Sequence, residues 1–100
     1  MDGEVEEFVA GMVGVCSWMT EEDVRVVREV VSAHLGLVVG RVVDLGRMAG
    51  LLLGLAERAD AMGDARSAWA FDRWYAWACV AMRGEEYHWP ELPQVLEVLP

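Results

Sequence analysis

Lysine, isoleucine and asparagine are all missing from this chain of 100 residues. All three have AT-rich codons, so their joint absence indicates a GC-rich genome, which we expect to be that of a bacterium or its phage. Without lysine, the positive charge is limited to eight scattered arginines against 17 acidic residues, and the net charge is −9. Nucleic-acid binding requires clustered cations that displace counterions from the phosphates. The composition therefore predicts no nucleic-acid binding, and a basic protein partner suits the charge better.

Cysteine is scarce as well. Cys16 and Cys79 are the only two, and two cysteines are too few for a disulfide scaffold or, by themselves, a zinc site. Both fall among apolar residues in helical patterns, which is typical of buried thiols in a reducing cytoplasm. The chain opens on the acidic stretch MDGEVEE, whereas a secretory signal opens on basic residues. We therefore expect a cytoplasmic protein that has no metal and no cofactor.

The chain also lacks a long hydrophobic run that is free of charge. Residues 35–56 are the most apolar stretch, yet Arg41, Asp44 and Arg47 lie near its middle. Each of these side chains costs about 2.5–3.5 kcal/mol at the centre of a bilayer. The prediction is that no segment of the chain spans a membrane.

Apolar residues recur at intervals of three and four, which predicts an all-α fold. We expect a first helix over residues 4–18 and a second that begins at Thr20, where Asp23 completes a capping box. The third is expected over residues 37–62 and the fourth over residues 64–84. A single helix over residues 21–62 would be about 60 Å long, too long for so small a globule. A break near Gly36 or Gly40 is therefore predicted.

Residues 1–84 are thus predicted to form a compact bundle of about four helices, and residues 85–100 a tail of different character. Pro90, Pro93 and Pro100 limit this tail to extended chain and one short helical turn. The tail is expected to pack on its own bundle or across a dimer. His34 and His88 are interpreted as a helix-end residue and a tail residue.

The fourth helix carries three of the five tryptophans and has two apolar faces. A single small core can cover one face, and the other is predicted to meet another protein or a second copy of the chain. The face assigned to the core contains Phe71, Trp74, Tyr75, Ala78 and Met82. The face assigned to partner binding contains Trp69, Arg73, Trp77 and Val80, beside Arg66. Tryptophan and arginine are enriched at binding hot spots.

Three glycines of the third helix, Gly46, Gly50 and Gly54, recur at every fourth position. Glycine costs about 1 kcal/mol in a helix interior, so the repeat predicts a groove that admits another helix, of this chain or of a second one. In an antiparallel pair of helices, Trp74 or Tyr75 would sit on this groove. Codon bias toward glycine is the alternative explanation.

No catalytic motif is visible. Glu85-x-x-His88 occurs once and outside a helix centre, whereas a di-iron site needs the motif twice with further glutamates. The leading hypothesis is a non-enzymatic protein–protein interaction module. Inhibition of host machinery by a phage or mobile element is one such role, by analogy with small acidic anti-CRISPR proteins. The alternative is a structural or assembly subunit that acts through homo-oligomerisation.

Overall fold

The structure, a computed structural model, describes residues 2–84 and 87–90. These residues contain four α-helices and no strand. Helix α1 spans Asp2–Val15, α2 spans Glu21–Val38, α3 spans Leu45–Ala61 and α4 spans Ala65–Met82. They form a compact all-α bundle with a radius of gyration of 12.6 Å. The predicted fold class is confirmed. Pro93, Pro100 and the short helical turn predicted over residues 92–98 lie outside the described residues.

Each of the last three helices begins at a side chain that caps its free backbone N–H groups. At α2, the Thr20 hydroxyl accepts a hydrogen bond from the Asp23 N–H (3.3 Å), while the Asp23 carboxylate accepts one from the Thr20 N–H (2.9 Å). This is the predicted capping box, with Asp in the place of the usual Glu. Asp44 and Asp64 cap α3 and α4.

The predicted break near Gly40 is present, but it is longer than expected. Gly40 has a φ of 83°, and the N–H of Arg41 donates to the carbonyl of Gly36 at 2.7 Å. This left-handed ending, a Schellman motif, turns the chain out of α2. Residues without regular secondary structure follow until Asp44, so α3 begins at Leu45 and not near residue 37. Valine-rich periodicity alone did not distinguish this linker from helix.

A second Schellman motif joins α3 directly to α4. Gly63 has a φ of 76°, and the N–H of Asp64 donates to the carbonyl of Ala59 at 2.9 Å. Because Asp64 also caps α4, a single residue both completes the end of α3 and starts the next helix. The two helices make the most extensive helix–helix contact in the bundle.

The core lies between the inward faces of all four helices. Trp74 and Phe71 are its largest fully buried aromatic side chains. Helix α1 contributes Phe8, Val9 and Met12; α2 contributes Val27, Val30 and Val31; α3 contributes Met48, Ala49, Leu52, Leu55, Ala56 and Ala59; α4 contributes Ala70 and Ala78 as well.

Three arginine–carboxylate pairs hold the outer edges of α1, α2 and α3 together. Arg28 on α2 binds Glu6 on α1 through two hydrogen bonds, at 2.9 and 3.1 Å. Arg47 on α3 also binds Glu29 on α2 through two hydrogen bonds, and Arg58 on α3 binds Asp23 on α2. Among the described helices, none has both the length and the apolar composition required to cross a bilayer.

Candidate functional site

The predicted partner-binding residues lie along one outward side of α4, which we call the Trp/Arg face: Trp69, Arg73, Trp77 and Val80. Trp69 is 57% exposed, an unusually large exposure for an indole. Arg73 is exposed, whereas Trp77 and Val80 are half-buried. Trp77 also packs against the edge of the core. The face is therefore exposed at Trp69 and Arg73 and partly buried at Trp77 and Val80, where it adjoins the core.

The helix itself produces this arrangement. Residues four apart on an α-helix lie on the same side, one turn above the other. Trp69, Arg73 and Trp77 are spaced in this way, and the face extends about 12 Å along the axis between the two indoles. The opposite side of α4 is buried and includes Ala70, Phe71 and Trp74. The core therefore covers one side of the helix and leaves Trp69 in water.

The arginines on this side differ from the three that join neighbouring helices, although exposed Arg41 and Arg83 also form no ion pair with a described residue. Arg66 and Arg73 are both exposed, and neither forms an ion pair with another residue in the described part of the chain. By contrast, Arg28, Arg47 and Arg58 all bind carboxylates of a neighbouring helix. On a chain of net charge −9, exposed Arg66 and Arg73 thus flank an exposed indole, although Asp72, next to Arg73 in the chain, is exposed as well.

Two of the residues assigned to the core are less buried than predicted. Phe71, Trp74 and Ala78 are fully buried, as expected. Tyr75 is only partly buried, and Met82 is 50% exposed. Both lie on the flank of α4, because the buried stripe is centred on Ser67, Trp74 and Ala78. Ser67 is polar, yet it is fully buried, with its hydroxyl 3.3 Å from the sulfur of Cys16.

His34 forms a buried centre that the sequence interpretation did not anticipate. Its side chain has no exposed area, although it was interpreted as a simple helix-end residue. The indole N–H of Trp74 donates to Nδ1 of His34 at 3.1 Å, and Nε2 of His34 lies 2.6 Å from the carbonyl oxygen of Pro90. A carbonyl only accepts, so Nε2 carries the proton and Nδ1 is the bare acceptor. His34 is therefore neutral, in one defined tautomer.

Aromatic rings extend this centre into the segment 87–90. His34 meets Trp74 edge to face at a centroid distance of 5.4 Å and Trp89 at 5.2 Å, and Trp89 in turn meets Tyr87 at 5.2 Å. Such perpendicular pairs are the preferred geometry of aromatic contacts. Of the predicted tail, this part lies against its own bundle.

A signal for His34 was available in the sequence. Val27, Val30 and His34 recur at the spacing of one helix face, together with Val31, and all four are buried. A histidine in that register is on the core side of an amphipathic helix. What the sequence could not indicate is its partner, because Trp74 and Pro90 are 40 and 56 residues away in the chain.

The glycine repeat does not form a groove within the described chain. Gly46, Gly50 and Gly54 lie on the exposed side of α3. A Cβ added at Gly50 or Gly54 would meet no atom within 4 Å, and at Gly46 only the Asp44 carboxylate at 3.5 Å. The prediction that Trp74 or Tyr75 packs on these glycines is wrong. The side of α3 that faces the core instead carries residues such as Met48, Leu52 and Leu55. Contact of the glycines with a second chain stays a prediction.

Two other features are candidates for a site: a cleft between α2 and α3, and the buried thiol of Cys16. A half-open cleft of about 170 Å³ lies between α2 and α3, with Val30, Ala33, Val43 and Met48 among its lining residues. Burial raises the pKa of the Cys16 thiol, although the Ser67 hydrogen bond opposes this, so Cys16 is held as a thiol and not as a nucleophilic thiolate. The described residues include no cluster of three or more His, Cys, Asp or Glu side chains that could hold a metal ion.

Comparisons with known proteins add no assignment. No protein-family model, no curated protein and no solved structure matches this chain. The chemistry of the Trp/Arg face is therefore the basis for a functional proposal.

Proposed function

We propose that the protein is a non-enzymatic interaction module that binds another protein through the Trp/Arg face of α4. The observation that carries the proposal is Trp69, which is 57% exposed on a helix whose opposite side is buried. An indole left in water between Arg66 and Arg73 costs hydration free energy that a partner's apolar pocket would recover.

The charges indicate what this partner presents. Arg66 and Arg73 have no carboxylate partner within the described residues, so a complementary surface would offer acidic side chains around an apolar pocket. Arginine binds carboxylates through two parallel hydrogen bonds, which fixes orientation as well as charge. The strongly acidic remainder of the chain would favour basic groups at the rim of the same partner. Inhibition of host machinery, as by anti-CRISPR proteins, is one role that such a module would serve.

Site-specific photocrosslinking in the cells that make the protein tests the proposal. A photoreactive amino acid replaces Trp69 in one variant and Met82 in the control, since Met82 is 50% exposed and lies on another side of α4. We expect one discrete adduct from position 69, none of that mass from position 82, and loss of the adduct when Arg73→Glu is added. Equal adducts from both positions, or none from position 69, would contradict the proposal.

The mass of the adduct also addresses the alternative of a homo-oligomeric assembly subunit. An adduct of twice the 11.1 kDa chain mass would identify a second copy as the occupant of the face. Sedimentation of the purified protein is the matching measurement. A monomer that Trp69→Ala leaves unchanged is expected if the partner is a different protein, and a dimer that Trp69→Ala dissociates is expected for the assembly subunit.

A further inference from the structure

The segment 87–90 is attached to the bundle through a titratable side chain. Its anchor is His34, which is fully buried, accepts a hydrogen bond from the Trp74 indole at Nδ1 and binds the Pro90 carbonyl through Nε2. Trp89 lies edge to face against the same imidazole. Both ring nitrogens are thus engaged, one as acceptor and one as donor.

We propose that this contact is an acid-releasable clasp, in which protonation of His34 detaches residues 87–90 from α2 and α4. The added proton would bind Nδ1, the only unprotonated nitrogen of the ring. It would then point at the Trp74 N–H, so that two donors face each other and the hydrogen bond is lost. The charged ring must also be solvated, and movement of Trp89 and Pro90, which contact it, would open a route to water.

No acidic side chain in the described residues forms an ion pair with His34, and the Pro90 carbonyl, which accepts from Nε2–H, is the one described group that favours the charged ring. On α2, the acid nearest in sequence, Glu29, is already paired with Arg47. On α4, Arg73 is positive and exposed. The segment itself contributes His88, which is exposed, and Tyr87, which is partly buried. Burial raises the pKa of the Tyr87 phenol, although Arg73 partly offsets this shift, so the phenol stays neutral.

The direction of titration follows from the same surroundings. Burial lowers the pKa of His34 below its ordinary value of 6.5, although the Pro90 carbonyl opposes this shift. A depressed pKa means that the clasp is intact at neutral pH and above, and that it is lost as the pH falls through the folded-state value. The release is therefore expected on the acid side of pH 6.5.

Nuclear magnetic resonance of the full chain tests the clasp. Long-range proton–nitrogen spectra report the tautomer and protonation of His34, and fluorine-labelled tryptophan reports the surroundings of Trp89, whose signal is assigned by Trp89→Phe. We expect the Nε2–H tautomer at neutral pH. On acidification, the Trp89 signal should move to the position of a solvated indole with the same midpoint as His34 protonation, while far-ultraviolet circular dichroism stays constant.

The decisive variant is His34→Gln, whose amide can still accept from Trp74 and donate to Pro90 but cannot titrate in this range. In this variant, the Trp89 signal should no longer respond to acid. His88→Gln is the matched control and should leave the transition unchanged. If His34→Gln does not fold, Trp74→Phe serves instead: removal of the opposing N–H should move the His34 midpoint to higher pH.

Several results would overturn the clasp. One is a Trp89 signal that stays in place while His34 becomes protonated. Another is loss of the helical signal at the same midpoint, since that would be unfolding of the whole bundle and not release of a segment. Persistence of the transition in His34→Gln, or an unchanged His34 midpoint in Trp74→Phe, would also exclude it.

Discussion

Each of the two sides of α4 carries a tryptophan, and the two indoles lie in opposite environments. Trp74 on the inner side is 1% exposed, and its indole N–H is bound by His34. Trp69 on the outer side is 57% exposed and makes no side-chain hydrogen bond with the described residues. The inner indole is part of the reason that the chain folds, whereas the outer one adds little to folding and is available for binding. Substitutions on the two sides should therefore separate stability from association.

The largest expected effect is that of Trp74→Ala. Removal of a fully buried indole costs about 3–5 kcal/mol, and it also leaves Nδ1 of buried His34 without its donor. Trp69→Ala should change the free energy of unfolding by no more than about 0.5 kcal/mol. Urea denaturation followed by circular dichroism measures both. Equal losses of stability would show that the two sides of the helix both serve the core.

The start of α4 provides a second, smaller effect. Asp64 accepts hydrogen bonds from the Ser67 N–H at 3.1 Å and from the Trp18 indole N–H at 2.9 Å. Asp64→Ala should cost about 1–2 kcal/mol, because it removes the cap and the link between the α1–α2 corner and α4. Asp44→Ala is the matched control, since Asp44 caps α3 through Arg47 alone. A smaller loss for Asp64→Ala than for Asp44→Ala would show that the Trp18 bond contributes nothing.

The contribution of Asp64 should also depend on pH. Hydrogen bonds from Ser67 and from Trp18 lower the pKa of its carboxyl below the ordinary value of 3.8. A lowered pKa stabilises the fold above the ordinary value, and this stabilisation disappears as the pH falls through the folded-state value. The difference in stability between the wild type and Asp64→Ala should therefore shrink when urea melts are repeated between pH 5 and about pH 2.

Local signals account for the parts of the fold that could be predicted from the sequence. The capping box at Thr20 and the break near Gly40 depend on residues a few positions apart, and both are present. The start of α3 was misplaced because Val42 and Val43 of the linker carry the same apolar signal as the valines of α2. The environment of His34 depends on contacts between distant residues, which periodicity does not contain.

The same limit applies to the candidate site. The helical period correctly placed Phe71 and Trp74 inside and Trp69 outside. It also placed Trp77 on the outer side, whereas Trp77 lies between the two sides and packs partly on the core. It could not tell which arginines pair, because Arg58 meets Asp23 across 35 residues of sequence.

The next comparison is between Arg73, on the Trp/Arg face, and Arg58, which lies on α3 outside this face. The Asp23 side chain is 10% exposed and is bound by Arg58. Burial alone would raise the pKa of Asp23, but hydrogen bonds from Arg58 and Thr20 lower it. Arg58→Gln should thus cost about 1 kcal/mol, a modest value because the Arg58 side chain is 42% exposed. Arg73→Gln should be neutral within about 0.5 kcal/mol. Equal costs in thermal melts would remove the distinction between the two arginines.

The smallest effect is expected at the exposed glycines of α3, and it has the opposite sign. A methyl group at Gly50 or Gly54 would meet no atom within 4 Å, so Ala gains helix propensity without a clash. Gly50→Ala and Gly54→Ala should each stabilise the monomer by about 0.5–1 kcal/mol. Gly63→Ala is the control and should destabilise, because its φ of 76° strains any side chain.

Association measured on the same variants then decides whether the glycine side of α3 is a second interface. If a partner helix lies on Gly50 and Gly54, the added methyl groups would weaken binding by overpacking while the free monomer becomes more stable. If the Trp/Arg face is the only contact, binding should be unchanged in Gly50→Ala and Gly54→Ala. It should fall at least about tenfold in Trp69→Ala, since a tryptophan hot spot contributes about 2 kcal/mol or more. Glycine variants that bind normally and melt higher would make the repeat a consequence of composition and leave α4 as the binding helix.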